Sequence, residues 1–455
     1  AVMHVLFAEG YADRAYLARY AAGTDRLEAH LADRTPAWAA AITGLAAEEI
    51  VDFARLYGRT KRSYLRLGYG LTRAINGAAQ MHAVSCLPVV TGAWAHRGGG
   101  ALYCSSGIYR IDRTLAEGLD RLDPSVRALE QTRIGAVLTG DADALKGGPP
   151  VTAMLVQNTN PAAICPDLGR VDRGLRREDL FVAVHEQVMT DTARLADVVL
   201  PATTFLEHDD LYRGGGQMHI LVGRRVIEPL GEARENHWVN AEIARRVGAE
   251  HPGFAMTAWE IIDAMLTASG LPDAAALHAA RWLDVQPDFE TSHFLGGFAF
   301  PDGRFRFAPD WAALGPLGGC PDLPDHMAPG EPTDAEHPFR LITPPARQFL
   351  NTSFNETPTA RRREGRPTAL LHPDDCAALG LAGGAMVRLG NRRGAVAVQA
   401  KPFDGVQRGV VVVEGIWDNA SFPDGLGINA LTSPAPIPPA GGAAFHDTAV
   451  WVWAV

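Results

Sequence analysis

Six short stretches of this sequence set several hydrogen-bonding or ionisable side chains beside an apolar run. "LVQNTNPAAICPD" (155–167) closes a strand-like run and opens a polar loop carrying Asn158 and Asn160. Ligands of open α/β sheets bind beyond the carboxyl ends of strands, where side-chain amides offer donors and acceptors to the edge of a nucleotide or pterin. An Asn-capped turn uses the same residues. "VHEQVMTDTARLADVVLPATTFLEHDD" (184–210) places His185 and Glu186 at the end of a second run. A carboxylate there accepts N–H groups from a guanine edge, or ribose hydroxyls. Thr190 suits a ligand contact or a helix cap. Glu207, His208, Asp209 and Asp210 are of the types that make an acid–base group or a metal cluster. Consecutive side chains diverge in an extended segment, which weighs against one metal site built from this run alone.

Four further stretches lie outside that region. In "GYGLTRAINGAAQ" (68–80), Gly68 and Gly70 let a backbone approach a ligand closely, and Arg73 has the reach and charge for a phosphate. "TPPARQFLNTSFNE" (343–356) presents Thr343, Arg347, Gln348, Asn351 and Ser353, a donor-rich loop suited to a polar multi-ring ligand or to solvent. "GINALTS" (427–433) and "GGAAFHD" (441–447) set Asn429 and His446 in apolar surroundings. The basic run "ARRREGR" (360–366) reads first as a solvated loop. The chain shows no G-x-G-x-x-G after a strand, no phosphate-binding P-loop, no H-E-x-x-H and no G-x-S-x-G. Its five cysteines, Cys86, Cys104, Cys165, Cys320 and Cys376, form no C-x-x-C pair, so no iron–sulfur or zinc-ribbon pattern is present. The residues alone thus describe a nucleotide-like cleft with no nucleophile and no metal site.

The elements that must position these groups follow from periodicity. "AAEEIVDFARLY" (46–57) repeats apolar residues at helical spacing and predicts a helix ending at Gly58. "SYLRLGYG" reads as a strand entering a glycine turn, and "NGAAQMHAVSCLPVVTGAW" as a helix stopped near Pro88. From residue 151 the rhythm is α/β: "VTAMLVQN", "DLFVAVHE" and "ADVVLP" predict buried strands of a parallel sheet covered on both faces. "HWVNAEIARRVG" is a helix closing at Gly248. Residues 251–335 read as irregular, with an acidic, proline-rich linker at 320–338. After Pro338, "FRLITP", "AMVRLGN", "GAVAVQA" and "GVVVVEGIW" are short strands of a separate β-barrel, with "NRRG" turning between two of them.

Composition bounds the class. With 455 residues, 47% hydrophobic and 21% charged, the chain is long enough for several domains and has the composition of a folded globular protein. A net charge of −10 argues against non-specific nucleic-acid binding. No apolar run reaches the ~18 residues of a membrane helix. The opening residues show no charged signal region, which makes a cytoplasmic location the expectation, with periplasmic export left open.

The stretches "GYGLTRAINGAAQ…LPVVTGAWAHRGGG", "VQNTNPAAICPD", "VHEQVMTDTARLADVVLPATTFLEHDD", "PLGEARENHWVNAEIARRVG" and "LHPDDCAALGLAGGAMVRLGNRRGAVAV" occur in an order that resembles the molybdopterin oxidoreductases. That family holds dimethyl sulfoxide reductase, formate dehydrogenase, periplasmic nitrate reductase and thiosulfate or polysulfide reductase. The resemblance spans nearly the whole chain, and "TDTARLADVVLPAT" and "HPDDCAALGLAGG" are its most specific strings. It implies incomplete Rossmann-like α/β domains with parallel sheets, over residues 1–100 and 101–250, followed by the irregular 251–335 region. A C-terminal β-barrel of double-psi type follows, at 336–455. It also implies a molybdenum or tungsten bis(molybdopterin guanine dinucleotide) cofactor for two-electron redox or oxygen-atom transfer, a small-molecule substrate and an electron-transfer partner.

Carried over position by position, the resemblance makes Asn160 and the His185–Glu186 pair guanosine-side contacts, with His208 and Asn236 nearby. Thr343, Arg347, Gln348, Asn351, Trp417, Asn429 and His446 become pterin contacts, and Gly70, Arg73, Asn158 and Thr190 join the cofactor set. Leu71 stands where some members carry glutamine, and Arg73 fits its motif only loosely. Position 1 aligns well inside the family pattern. The expectation is therefore a C-terminal fragment, inactive alone, whose parent carries the metal ligand and an iron–sulfur cluster in an upstream segment. The alternative is a cofactor-free relative acting as a scaffold or electron-transfer subunit. The "GYGLTRxxNG" pattern leans towards the thiosulfate and polysulfide reductases.

Overall fold

The computed structural model describes residues 1–455. The chain forms two compact units, each assembled from separated segments: residues 1–104, 287–330 and 437–442 in one, and 105–286, 331–436 and 443–455 in the other.

The first unit is helical, with helices Val2–Ala8, Arg14–Tyr20, Ala47–Arg59 and Gly77–Val90 and a short parallel pair, Tyr64–Arg66 with Gly100–Leu102. Its core gathers Leu6, Leu17, Leu27, Cys86, Val89, Val90 and Phe307. Of the predicted stripe at 50, 53, 54 and 57, helix 47–59 buries Ile50, Ala54 and Tyr57 but leaves Phe53 45% exposed, while the Glu49 carboxylate accepts the Ala46 N–H and closes the first turn. It does not stop at Gly58. That residue is buried inside the last turn, where a Cβ would lie 2.5 Å from the Tyr11 ring, so the glycine serves close packing rather than capping. Helix 77–90 likewise runs through Pro88. A proline in the last turn forgoes one backbone hydrogen bond without blocking the residues after it.

In the second unit, β1 (Ala153–Gln157), β2 (Phe181–Glu186) and β3 (Val198–Pro201) form a parallel sheet with β2 central. Its even-numbered face carries Met154, Val156, Val182 and Val184 onto helices Ile134–Leu138 and Leu168–Leu175, through Leu138, Val171 and Leu175. The opposite face, which carries Leu155, Phe181 and, through the pairing of Ala183 with Val198, Val198 of β3, is apolar but uncovered towards its amino end, where these three are 42%, 51% and 39% exposed. The expectation of burial on both faces therefore holds for one face. All three runs are apolar on both sides, so sequence reads them as doubly covered even where no covering element is present. At the carboxyl end the same face is closed. Ala202 bridges to Arg234, whose N–H donates to the Pro201 carbonyl at 3.0 Å, and the chain there buries His185 completely.

Beside this sheet, Asp210–Tyr212, His219–Gly223 and Leu283–Asp284 form an antiparallel sheet backed by helices Ala258–Ala268 and Ala274–Ala280. These helices occupy sequence read as irregular. Thr257 and Asp273 cap them, and Glu260 completes a capping box with Thr257.

The barrel closes from six strands: β4 (Phe339–Ile342), β5 (Thr368–Leu371), β6 (Met386–Asn391), β7 (Gly394–Pro402), β8 (Val410–Val413) and β9 (Thr448–Ala454). Their order around the barrel is β4-β8-β5-β7-β6-β9, with parallel β4–β8 and β5–β7 pairs among antiparallel ones. Alternate residues fill the inside: Leu341, Leu371, Val387, Leu389, Val396, Val411, Val413 and Val450 are all inaccessible. The predicted "NRRG" turn is the two-residue loop between β6 and β7. Arg393 in that loop forks onto Glu331 at 2.6 and 2.8 Å, tying down the end of the proline-rich segment. No helix is long and apolar enough to cross a membrane.

Gly390 of β6 faces Trp451 of β9, and a Cβ there would sit 2.1 Å from the indole. We expect Gly390→Ala to destabilise the second unit by about 1–3 kcal/mol through overpacking. Gly383→Ala, whose Cβ would meet Pro402 at an ordinary 3.5 Å, should leave the thermal unfolding midpoint unchanged. Equal midpoints for the two variants would show that Trp451 moves aside freely.

Candidate functional site at the carboxyl ends of the parallel strands

β1, β2 and β3 end side by side at Gln157, Glu186 and Pro201, and the loops that follow wall a cavity of about 960 Å3. Asn158, Gln187, Thr203, His208, Asn236 and Arg213 line it. Asn158 holds φ at +56°, a left-handed conformation that asparagine tolerates better than most residues, directly after β1. Gln187 follows β2, and its amide donates to the Thr203 carbonyl at 3.0 Å. Helix Asn236–Val247 contributes Asn236 and, one turn on, Asn240. The i, i+4 spacing puts both amides on one face. Arg113 and Arg121 add guanidinium groups, and Asp209 and Glu235 add carboxylates.

The side chains of the acidic run at 207–210 diverge, as expected, but on a turn closed by the Glu207 N–H to the Thr204 carbonyl rather than on an extended segment. Glu207 turns inward and accepts from the Thr204 N–H at 2.7 Å, the Thr204 hydroxyl at 2.8 Å and the Leu230 N–H at 2.6 Å. His208 turns to the cavity, with Nδ1 2.8 Å from the Thr203 hydroxyl. Asp209 takes the Arg225 N–H and the Arg224 guanidinium. Among the described residues, no three His, Cys, Asp or Glu side chains converge as a metal-holding group. Cys165, buried after the loop from β1, has its thiol pushed up to about 12 by burial, so at neutral pH it is an inert apolar group.

The other sequence-derived candidates divide by where the structure puts them. His185 has both ring nitrogens engaged, with the Gln157 amide at 3.1 Å and the Arg234 carbonyl at 3.0 Å. Asn160 is buried and accepts the Thr192 N–H and hydroxyl at 3.0 and 2.7 Å. Thr190 accepts the Ala193 N–H at 3.2 Å, the capping alternative. Glu186 accepts the N–H of Gln187. On the barrel, the Thr343 N–H donates to His446 Nδ1 at 3.3 Å and its hydroxyl to the Phe445 carbonyl at 3.1 Å, so two stretches 103 residues apart meet. Trp417 is buried edge-on to Phe349, and its indole N–H reaches the Glu414 carbonyl. Arg347 and Asn351 are exposed, Asn351 with φ at +52°. Gln348 accepts from Arg363, and the buried Asn429 donates to the Ala163 and Ile164 carbonyls. Gly70 and Arg73 lie in the other unit, at a turn (Leu71–Arg73). Sequence reading did not single out Gln187, Arg213 or Asn240. The position of Gln187 one residue past β2, and the four-residue step from Asn236 to Asn240, were the signals that carried them.

The Thr204 N–H, then the Leu230 N–H, hold the Glu207 carboxyl below its ordinary value of 4.5. A carboxyl with a depressed folded-state pKa gives stability that is present above the unfolded value and lost as pH falls through the folded one. We expect wild type to melt above Glu207→Gln at pH 7, and the gap to close as pH drops below about 4.5. A gap independent of pH would mean that the carboxylate charge does not matter to this loop.

Residues 2–246 match the family model described as molybdopterin oxidoreductase, and residues 339–449 match the molydopterin dinucleotide binding domain. A probable oxidoreductase, YoaE, of Bacillus subtilis is 32% identical over 99% of this chain and 65% of its own length. The dimethyl sulfoxide/trimethylamine N-oxide reductase of Rhodobacter capsulatus is 29% identical over 92% of this chain and 57% of its own. The chain thus spans less than two thirds of these relatives. The structure of acetylene hydratase from Pelobacter acetylenicus superposes over 100% of this chain and 69% of its own with a TM-score of 0.79 at 18% identity, a likeness of fold. The chain belongs to the molybdopterin oxidoreductase family.

Proposed function

We propose that residues 1–455 are the cofactor-binding part of a longer molybdenum or tungsten oxidoreductase. In this reading the strand-end cavity takes the guanosine end of a bis(molybdopterin guanine dinucleotide), and the barrel loops at Thr343–Asn351, Trp417 and His446 face the pterin. One observation carries it. The ~960 Å3 cavity at the carboxyl ends of the parallel strands is lined by amides, imidazoles, guanidinium groups and carboxylates together. These donors and acceptors fit a guanosine phosphate. Asp209 or Glu235 would accept N–H groups of the guanine edge, Asn158, Asn236 and His208 would meet the ribose and base, and Arg113, Arg121 or Arg213 would balance phosphate charge. The volume matches that of small-molecule sites.

When bound, the cofactor supplies the metal centre that takes up or releases the electron pair; the protein supplies binding, orientation and exclusion of water. Asn158 and Gln187, fixed by backbone conformation and by the Thr203 carbonyl, orient donors before the ligand arrives. His208 has Nδ1 held by Thr203, and its Nε2, 3.8 Å from the Asp210 carboxylate, would meet the ligand. The bare apolar face at Leu155, Phe181 and Val198 supports the view that further polypeptide of the same protein packs there, since parallel sheets are covered on both sides. A small-molecule substrate, an electron-transfer partner and a metal ligand from outside these residues complete the proposed enzyme.

Two measurements test this reading. The purified 455-residue chain should carry less than stoichiometric guanine dinucleotide, because part of the cofactor would lack its protein wall and its burial would be incomplete. It should nevertheless bind guanosine monophosphate by calorimetry, and His208→Ala should weaken that binding about tenfold, the worth of one hydrogen bond of roughly 1.4 kcal/mol. No binding by the wild-type chain would favour a cofactor-free scaffold.

A further inference from the structure

The two loops that wall the cavity also hold the barrel. Asn158 lines the cavity, and Asn160, two residues on, points away from it into a buried polar relay. Gln187 lines the cavity, and Asp191, four residues on, joins the same relay. Asp191 Oδ1 accepts the Asn419 N–H at 3.0 Å, and its other oxygen lies 3.5 Å from the Asn160 amide nitrogen. Asn160 in turn accepts from Thr192, whose hydroxyl accepts the Ala162 N–H at 3.0 Å. On the barrel side, the Asn419 amide donates to the Ala162 carbonyl at 2.8 Å and accepts the Gly427 N–H at 2.9 Å. Asn429 closes the set onto the Ala163 and Ile164 carbonyls.

These contacts join the loops after β1 and β2 to the barrel segment 417–429 through polar groups that are nearly all satisfied. A short loop with one end in a relay and the other in a cavity wall transmits displacement, because neither end moves alone. We propose that Asp191 is a positioning residue that couples the seating of barrel segment 417–429 to the shape and occupancy of the strand-end cavity. Neighbouring charge does not replace it: Asp418 is engaged by Arg361 at 3.1 and 3.2 Å and faces Asp191 as a like charge. The occupancy half of this coupling rests on the proposed function; the mechanical half does not.

Coupling between sites is reciprocal, so it is read from both sides. Hydrogen exchange by mass spectrometry on the full 455-residue chain gives both readings without ligand. Asp191→Ala should speed exchange in 415–430 at least about fivefold while β7 and β8 keep their protection. Asn419→Ala, on the barrel side, should speed exchange in 157–162 and 187–192 by a similar factor. Asp191→Asn, which keeps a carbonyl acceptor for the Asn419 N–H, should restore most of the protection of 415–430. With guanosine monophosphate as probe, wild type should gain protection in 415–430, and Asp191→Ala should lose that gain and bind the nucleotide at least threefold more weakly. Effects confined to the mutated side, or a ligand-induced gain that survives in Asp191→Ala, would overturn the coupling. If wild type fails to bind the nucleotide, the proposed function falls, and the two ligand-free arms still decide the mechanical coupling.

Discussion

Three parallel strands that stop together create a demand the rest of the second unit has to meet. Beyond Gln157, Glu186 and Pro201 the backbone leaves the sheet, and its N–H and carbonyl groups lose their ladder partners within a small volume. Buried backbone groups without partners are costly, so side chains must supply them. Asn160, Thr192, Glu207 and Asn419 do so, each bonding backbone N–H or carbonyl groups of the loops. The loops are thereby fixed, and the polar side chains left over face the cavity. Binding capacity is here a by-product of solving the strand-end problem rigidly.

Neighbouring residues divide the two tasks. Asn160 is inward and structural, while Asn158 is on the cavity. Glu207 is inward, while His208 is on the cavity. His185 is inward, while Gln187 is on the cavity. In each pair a side chain saturated by protein partners stands one or two residues from one that presents free capacity. Such division pre-organises a site, because the supporting members are locked before any ligand arrives. A network of satisfied buried polar groups also resists rearrangement, which makes its members poor direct contacts and good positioning groups.

Much of this was legible in the sequence, for definite reasons. Four of the six barrel strands were read as short apolar runs between turns, while β5 and β9 were not singled out, and the helix at 236–247 showed itself through its periodicity and Gly248, which sits at φ +73°. The strand-end loops were recognisable as polar stretches after apolar runs, and a cavity lies where those loops meet. Sequence could not assign roles within a loop. Asn158 and Asn160 are the same residue type two positions apart, and only the left-handed turn at Asn158 separates their directions. Gly58 looked like a helix stop, because sequence records the absence of a side chain but not the Tyr11 ring that forbids one. The antiparallel sheet with helices at 258–268 and 274–280 was missed, since short alanine-rich helices carry weak periodicity amid prolines and glycines.

The parallel sheet shows how far side-chain alternation alone can carry a reading. Phe181, Ala183 and His185 share one face of β2, yet Phe181 is half exposed and His185 is wholly enclosed. The difference lies in a segment some fifty residues later, where Arg234 crosses the carboxyl end and takes up the Pro201 carbonyl and the His185 imidazole. One face is thus finished at the strand ends that wall the cavity and unfinished at the opposite end. The crossing segment at the carboxyl end shields the strand ends next to the cavity loops from water. The amino end keeps an apolar strip ready for whatever packs on it. Side-chain alternation assigns a residue to a face, and the segment that crosses that face, here Arg234, decides whether the residue is buried.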